Sequence, residues 1–457
     1  MKIHHLEVKN FRGFEHRSFD FSDQFNVLIG DNGTGKTAIL NALAVAVSPI
    51  VPSFSTSFSE SDFFPSNPPN FLENSTLQVV SSNIDSNIIA NLKSNINPDD
   101  IRQVRYQKGQ TPTVESQYPV IVSCQGSSHD KPLSWTCSLE SKNGKIHGST
   151  TPEILKFSEQ TQNDVRNGED TCLPLIVQYS TNRLWQVPRG KINFLKPESR
   201  LTGYIDCLQT GLNLEQVSQW LKTMELASLQ RKEQIQVLEA VKEAIKNCLQ
   251  DIIENISFDI LEDEFFITSK NGQVLPLRLL SDGVRNMLAM VADIAYRTAV
   301  LNPHLGIDVV KQTPGIVLID EIDLHLHPKW QRRVVEDLRR TFPEIQFFAT
   351  THSPFIIQSL HPGELINLDP QVGEYYNKSI EDITEDVMGV DLPQQSERWK
   401  KMVQVAEEYY RVLQAANGAN ASEVEQLKKR LDELTMPYRD DPAYQAFLNV
   451  EREAAGL

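Results

Sequence analysis

Gly30-Asp31-Asn32-Gly33-Thr34-Gly35-Lys36-Thr37 lies between Phe25-Asn26-Val27-Leu28-Ile29, a short apolar run that reads as a strand, and Ala38-Ile39-Leu40-Asn41-Ala42-Leu43-Ala44, whose composition is helical. The octapeptide fits G-x-x-x-x-G-K-[ST] in the strand, loop, helix setting that a phosphate-binding loop needs. Glycines let successive N–H groups turn inward around phosphate oxygens, and the N-terminus of the following helix favours their charge. On this reading Gly30, Asn32, Gly33, Gly35, Lys36, Thr37 and Ala38 hold a nucleotide. Lys36 reaches the β- and γ-phosphates, and the Thr37 hydroxyl ligates Mg2+.

A phosphate loop requires a second acid for the metal and a base for the attacking water. Ile316-Val317-Leu318-Ile319-Asp320-Glu321 offers both. Four apolar residues bring Asp320 to the end of a buried strand, within reach of the Mg2+ shell, and Glu321 follows where it can orient and deprotonate water. Leu280-Ser281-Asp282-Gly283-Val284-Arg285 opens a helix, so the Ser281 hydroxyl and the next N–H groups form an outward anion site; a plain N-cap is the simpler alternative. Thr350-Thr351-His352-Ser353-Pro354 follows another apolar strand, which puts His352 where a side chain can sense a γ-phosphate; an ordinary turn residue is the commoner alternative.

These motifs belong to a chain of 457 residues, 40% hydrophobic and 23% charged, long enough for a large core and roughly two or three domains. Sixty acidic residues against 44 basic ones leave a net charge of −16, the wrong sign for a protein that coats nucleic acid through bulk charge. The five cysteines form no close pair, so neither a zinc knuckle nor a complete disulfide framework is indicated, and a reducing compartment fits. The opening MKIHHLEVKNFRGFEHR has no apolar run of the signal-peptide kind, and no stretch of about 20 apolar residues occurs elsewhere. The chain therefore reads as cytoplasmic, with no membrane role of its own.

Residues 48–75, rich in Pro, Ser and Asn, read as an irregular insertion, followed by β-rich runs at 118–122 and 134–140 with Asn143-Gly144 as a hairpin turn. Residues 160–170 read as a polar connector and 175–179 as a buried strand. Residues 214–253 carry helical spacing as one long helix or a hairpin of two. A second hairpin turns at Asn271-Gly272, residues 329–341 are amphipathic, 345–350 form a strand, and Asp441-Pro442 opens a last short helix.

The four motifs, in this order, resemble the ABC-type ATPases of the SMC, Rad50, RecF and OLD group within the AAA class. The match is to their Walker A loop, signature LSxG helix, Walker B strand with glutamate, and H-switch histidine. The resemblance implies an α/β fold, an ABC-type P-loop ATPase head. Residues 1–390 would form it, with an irregular and β-rich insertion at 47–172 and a helical insertion at 214–256. Residues 391–457 would be a helical extension for partner docking or oligomerisation. Two heads of such proteins close head to tail on ATP and Mg2+. Lys36, Thr37, Asp320, Glu321 and His352 would then act in cis, and Ser281, Asp282 and Gly283 in trans. Leu6-Glu7-Val8-Lys9-Asn10-Phe11-Arg12-Gly13-Phe14 resembles the group's first strand, which makes Arg12 a nucleotide contact. Gln178 is the candidate Q-loop glutamine and Mg2+ ligand, with a plain strand residue as the alternative.

Asp320-Glu321-Ile322-Asp323-Leu324-His325-Leu326-His327-Pro328-Lys329-Trp330-Gln331 is similar to a narrower set, the small ATPases of bacterial anti-phage defence, with Asp323 in the D-loop. The His-x-His pair also has metal-ligand chemistry. Leu173-Pro174-Leu175-Ile176-Val177, Arg183-Leu184-Trp185 and Ile380-Glu381-Asp382-Ile383 look most like the PtuA family, the ATPase subunits of the Septu system, which work with an HNH nuclease; related ATPases accompany some retrons. The resemblance thus implies an ATPase that controls a nuclease partner and has no nuclease activity of its own. Only 105 residues follow His352, and Glu381, Asp382, Glu385 and Asp386 read as acids of a helix's first turn. The alternative is a RecF-like repair ATPase that binds DNA directly as an ATP-closed dimer. Residues 397–457 carry 9 basic and 11 acidic residues in amphipathic helices, which either dock a partner or another subunit, or cover the core.

Overall fold

In this computed structural model the described residues are 1–52, 96–108, 111–128, 131–142, 145–181, 183, 199–208, 212, 214–250, 252–259, 261–262, 264–369, 375–390, 393–415 and scattered positions from 422 to 436 and at 450. Most of the insertion expected at 48–75, the Asn143-Gly144 turn and the Asp441-Pro442 helix start lie outside them. The chain divides into two compact units, Met1–Lys378 and Ser379–Leu457.

The first unit opens with β1 (Lys2–Phe11), β2 (Phe14–Asp20) and β3 (Phe25–Ile29), then α1 (Lys36–Val47). After the insertion come β4 (Gln103–Lys108), β5 (Thr111–Ser116), β6 (Val120–Ser128), β7 (Lys131–Lys142), β8 (Lys145–Thr150), α2 (Pro152–Arg166) and β9 (Leu175–Tyr179). The middle holds α3 (Leu214–Arg231), α4 (Gln236–Cys248), β10 (Ile253–Asp259), β11 (Glu264–Ser269), β12 (Val274–Pro276), α5 (Asp282–Leu301) and α6 (Val309–Gln312). The unit ends with β13 (Gly315–Ile319), α7 (Pro328–Gln331), α8 (Val334–Thr341), β14 (Ile345–Thr350), α9 (Pro354–Gln358) and β15 (Leu365–Asn367).

The fold is α/β. Its central sheet runs β15-β3-β14-β13-β9, every neighbouring pair parallel. Strands covered on both faces are mostly apolar, and β3, β9, β13 and β14 are buried at every position, including the polar Asn26, Gln178, Gln346 and Thr350. Register sets Ile319 beside Ala349 and Thr350 beside Leu28, so the chain leaves β3, β13 and β14 at one edge of the sheet. In open parallel sheets that carboxyl edge is where ligands bind.

A second, antiparallel sheet runs β2-β1-β6-β7-β8, and α1 packs on both sheets. This explains why α1 is buried nearly all round, from Ala38 to Val47. Trp135 of β7, 2% exposed, fixes the contact by donating its indole N–H to the Ala46 carbonyl at 2.8 Å. A three-stranded sheet, β10-β11-β12, leads into α5, whose 20 residues are mostly buried.

Several expectations are refined. Residues 214–253 form two helices rather than one, broken at Lys232 with φ 57°. The polar stretch at 160–170 is not simply a connector, because α2 extends to Arg166. Ile154 and Ser158, one turn apart, are its buried positions, so most of the helix is polar. β2 shows little alternation because only Phe14 and Phe19 are buried. The hairpin at Asn271-Gly272 forms as β11 and β12, and the runs at 118–122 and 134–140 fall in or beside β6 and β7.

In the second unit, α10 (Ile380–Asp382) is closed by a capping box in which Ser379 Oγ accepts from the Asp382 amide at 3.1 Å, and α11 spans Glu397–Ala415. Glu381 and Asp382 occupy that first turn. Among the described residues, no helix is long and apolar enough to cross a membrane.

Candidate nucleotide site

At the carboxyl edge of the central sheet, β3 passes into the glycine-rich loop. Gly30, Gly33 and Gly35 take φ values of 146°, 91° and 103°, which side-chain-bearing residues rarely adopt. A Cβ on Gly35 would also come within 2.5 Å of the Phe14 ring. The loop curls so that Lys36 Nζ donates to the carbonyls of Gly30 at 2.7 Å and Asp31 at 3.0 Å. Burial lowers the Lys36 pKa below the usual 10.5, against the opposing pull of Asp369, Asp31, Asp320 and Glu321.

Opposite the loop, Asp320 emerges from β13. Thr37 Oγ1 donates to its carboxylate oxygens at 3.1 and 3.3 Å, and Thr350 Oγ1 donates to Oδ1 at 2.6 Å. Glu321 has φ 50°, in the left-handed region, and its amide donates to the Thr350 hydroxyl at 2.7 Å. His352 is exposed just beyond β14. Asn32, Gly33, Gly35, Lys36, Thr37, Ala38, Asp320, Glu321, Thr350 and His352 line one cleft of about 240 Å³. A lysine, loop amides and paired hydroxyl and carboxylate oxygens are a donor set that fits a nucleotide phosphate with a hard divalent cation.

Residues 5–253 match the AAA domain family, and 204–357 match the AAA ATPase domain. The chain belongs to the AAA domain family. A segment of 124 residues is 41% identical to the Retron Vc95 probable ATPase of Vibrio cholerae serotype O1 biovar El Tor, covering 26% of this chain and 23% of that one. Another of 165 residues is 32% identical to the Septu protein PtuA of Bacillus thuringiensis, covering 32% of this chain and 40% of that one. The matches thus span less than half of either relative. Among solved structures, the SMC head domain from Thermotoga maritima aligns at a TM-score of 0.41 and 13% identity, over 80% of this chain and 94% of that one.

In this AAA domain, Ser281 is the N-cap residue of α5 and is exposed, with no side-chain cap bond. Asp282 is paired with Arg285 at 2.6 Å. Gly283 faces the chain that follows Glu321, and a Cβ there would collide with the His325 carbonyl oxygen. Asp323 accepts a hydrogen bond from Thr351 Oγ1 at 2.5 Å. The His-x-His pair has local structural work: His325 turns the chain at φ 62°, and His327 Nδ1 accepts the Lys329 amide at 3.2 Å to cap α7.

Two expected contacts lie elsewhere. Arg12 does not line the cleft; its guanidinium grips the buried Asp100, with Nε and Nη2 each 2.8 Å from Oδ1. Gln178, buried on β9, donates to Asn41 Oδ1 of α1 at 3.1 Å, and it is likewise outside the cleft lining.

Sequence reasoning missed three residues that hold the site. Thr350 joins both acids, and its place at the carboxyl end of a buried strand was the available signal. Asp369 accepts the Asp31 amide at 2.8 Å and so anchors the start of the loop. Arg183, 1% exposed, donates to the carbonyls of Asp320 and Glu321; burial lowers its pKa to about 10 despite the attraction of Asp320, Glu321 and Asp323.

Proposed function

We propose that this chain is the ATP-binding and ATP-hydrolysing regulatory subunit of a bacterial anti-phage defence complex. In this reading it controls an HNH-type nuclease partner through head-to-tail closure of two copies. The observation that carries the ATPase part is the single cleft into which Lys36, Thr37, Asp320, Glu321, Thr350 and His352 converge. Similarity to the retron and Septu ATPases supports the defence setting.

The glycine-loop amides and Lys36 bind the phosphates, Lys36 exchanging the Gly30 and Asp31 carbonyls for phosphate oxygens. Thr37 and Asp320 would hold Mg2+, which when bound neutralises charge on the β- and γ-phosphates. Thr350 keeps the Asp320 carboxylate turned toward Thr37. A Glu321 carboxylate oxygen orients the attacking water and takes its proton, and His352 donates to the γ-phosphate region. Ser281, Asp282 and Gly283 of a second copy would close the site from outside, with Asp323 at the crossing. Arg12 and Gln178 would join only by moving from Asp100 and Asn41.

The test is to express Glu321→Gln with its neighbouring genes, purify it under ATP and identify what accompanies it by mass spectrometry. A stoichiometric small nuclease with an ATP-dependent oligomer is the expected result. An oligomer that retains DNA and no nuclease would replace this reading with the RecF-like one. Absence of ATPase activity in the parent protein would remove both.

A further inference from the structure

Arg183 is buried behind the cleft and uses its guanidinium on three parts of the fold at once. Nη1 donates to the Asp320 carbonyl at 2.7 Å and to the Ser180 carbonyl at 3.1 Å, and Nη2 donates to the Glu321 carbonyl at 3.0 Å. Nε donates to Asn286 Oδ1 at 2.9 Å, on the first turns of α5. Asn286, 2% exposed, passes the connection on: its Nδ2 donates to the Leu324 carbonyl at 3.0 Å. One turn earlier, the Gly283 backbone lies against the His325 carbonyl, closely enough that no side chain fits between them.

The Asp320–Glu321 backbone is thus held from two sides. Thr350 binds the Glu321 N–H at the cleft side, and Arg183 binds the carbonyls of both acids from the interior. The start of α5 and the Leu324–His325 backbone are in turn joined by Asn286 and by the Gly283 contact. A rigid, planar, five-donor group is the side chain best suited to link backbones whose relative position matters. Any shift of the Asp320–Glu321 peptide on ATP binding must either break the Arg183 bonds or carry Asn286 with it.

We propose that Arg183 and Asn286 are positioning residues that couple the nucleotide cleft to the start of α5, so that ATP binding in one copy resets the Ser281–Gly283 surface of that same copy. This deepens the proposed function, resting on the reading that Ser281–Gly283 act on a second copy. It predicts that the signature surface responds to ATP before any dimer forms.

The experiment is hydrogen exchange of the full chain, dilute enough to remain monomeric, with and without ATP and Mg2+, for the parent, Asn286→Ala and Arg183→Lys. In the parent, ATP changes protection both at residues 30–40 and at 281–290. In Asn286→Ala the change at 30–40 persists with ATP affinity within about 3-fold of the parent. The change at 281–290 is lost, and ATP-dependent dimerisation weakens about 10-fold, within the ordinary range of inter-site coupling. Arg183→Lys keeps the charge without the fork and likewise loses the change at 281–290. A parent-like response at 281–290 in a folded Asn286→Ala overturns the proposal. So does a parent in which 30–40 responds to ATP and 281–290 does not, a result that needs no variant to fold. If 30–40 is silent in the parent, the ATPase reading itself fails.

Discussion

The Thr350 hydroxyl stands between the two acids of the site: it donates to Asp320 Oδ1 at 2.6 Å and accepts the Glu321 amide at 2.7 Å. One oxygen therefore sets both the rotamer of Asp320, the proposed metal ligand, and the backbone of Glu321, the proposed base. Thr350→Val preserves shape and deletes both bonds. A hydrogen bond to a charged group contributes about 1.5–3 kcal/mol, so kcat for ATP should fall about 10–100-fold. Thr350→Ser should recover most of the loss in a steady-state assay; a Val variant at parental speed would show that Asp320 needs no such support.

Lys36 and Glu321 should separate binding from chemistry. Lys36→Ala removes the lysine of the loop from the cleft and should abolish ATP binding in calorimetry. Glu321→Gln retains the shape of the site and should bind ATP normally while hydrolysing it about 10²–10⁴-fold more slowly, as loss of a general base does. Hydrolysis at the parental rate would exclude Glu321 as the base.

ATP binding should weaken at alkaline pH earlier than an ordinary lysine would dictate. The Lys36 pKa is lowered by burial, so in the free protein the ammonium is lost at a pH below 10.5. Between that lowered value and 10.5 the unfolded chain holds more protons than the folded one, so the Lys36 contribution to stability rises with pH there, while phosphate affinity falls. Bound phosphates restore the charge, so calorimetry at alkaline pH in buffers of different ionisation enthalpy should register proton uptake. Lys36→Arg should move the decline to higher pH; an unchanged profile would assign it to another group.

Trp135 should matter to stability more than its distance from the cleft suggests. Trp135→Phe keeps an aromatic ring but leaves the buried Ala46 carbonyl without its 2.8 Å partner, at a cost of about 1–3 kcal/mol. A denaturant titration would show this as a lower midpoint with an unchanged slope. Since Ala46 lies near the far end of α1 from Lys36, ATP affinity of the folded fraction should stay close to parental.

Where local rules decide structure, the sequence was readable. The loop glycines, Lys36 and Thr37 announce themselves by spacing, and β3, β9, β13 and β14 by short runs that are apolar except at Asn26, Gln178, Gln346 and Thr350. What escaped depends on partners far away in the chain. Arg183 meets Asn286 across 103 positions and Asp320 across 137, and nothing near Arg183 marks it as buried. The neighbourhood of Arg12 fits a nucleotide-contact motif, while its partner in this structure, Asp100, lies 88 positions away. Residues 160–170 look like linker because α2 buries so little of itself.

The neighbours of β3 in the sheet, β14 and β15, lie at the other end of this unit: Phe25 pairs with Phe347, roughly 320 residues later. At translation rates of 5–20 residues per second, the strand that feeds the phosphate loop waits about 15–65 s for a partner. During that interval Phe25, Val27, Leu28 and Ile29 are apolar residues without their sheet partners. A chain stalled or cut before Ile345 lacks both strands that flank β3, and with them Thr350 and His352 of the cleft lining.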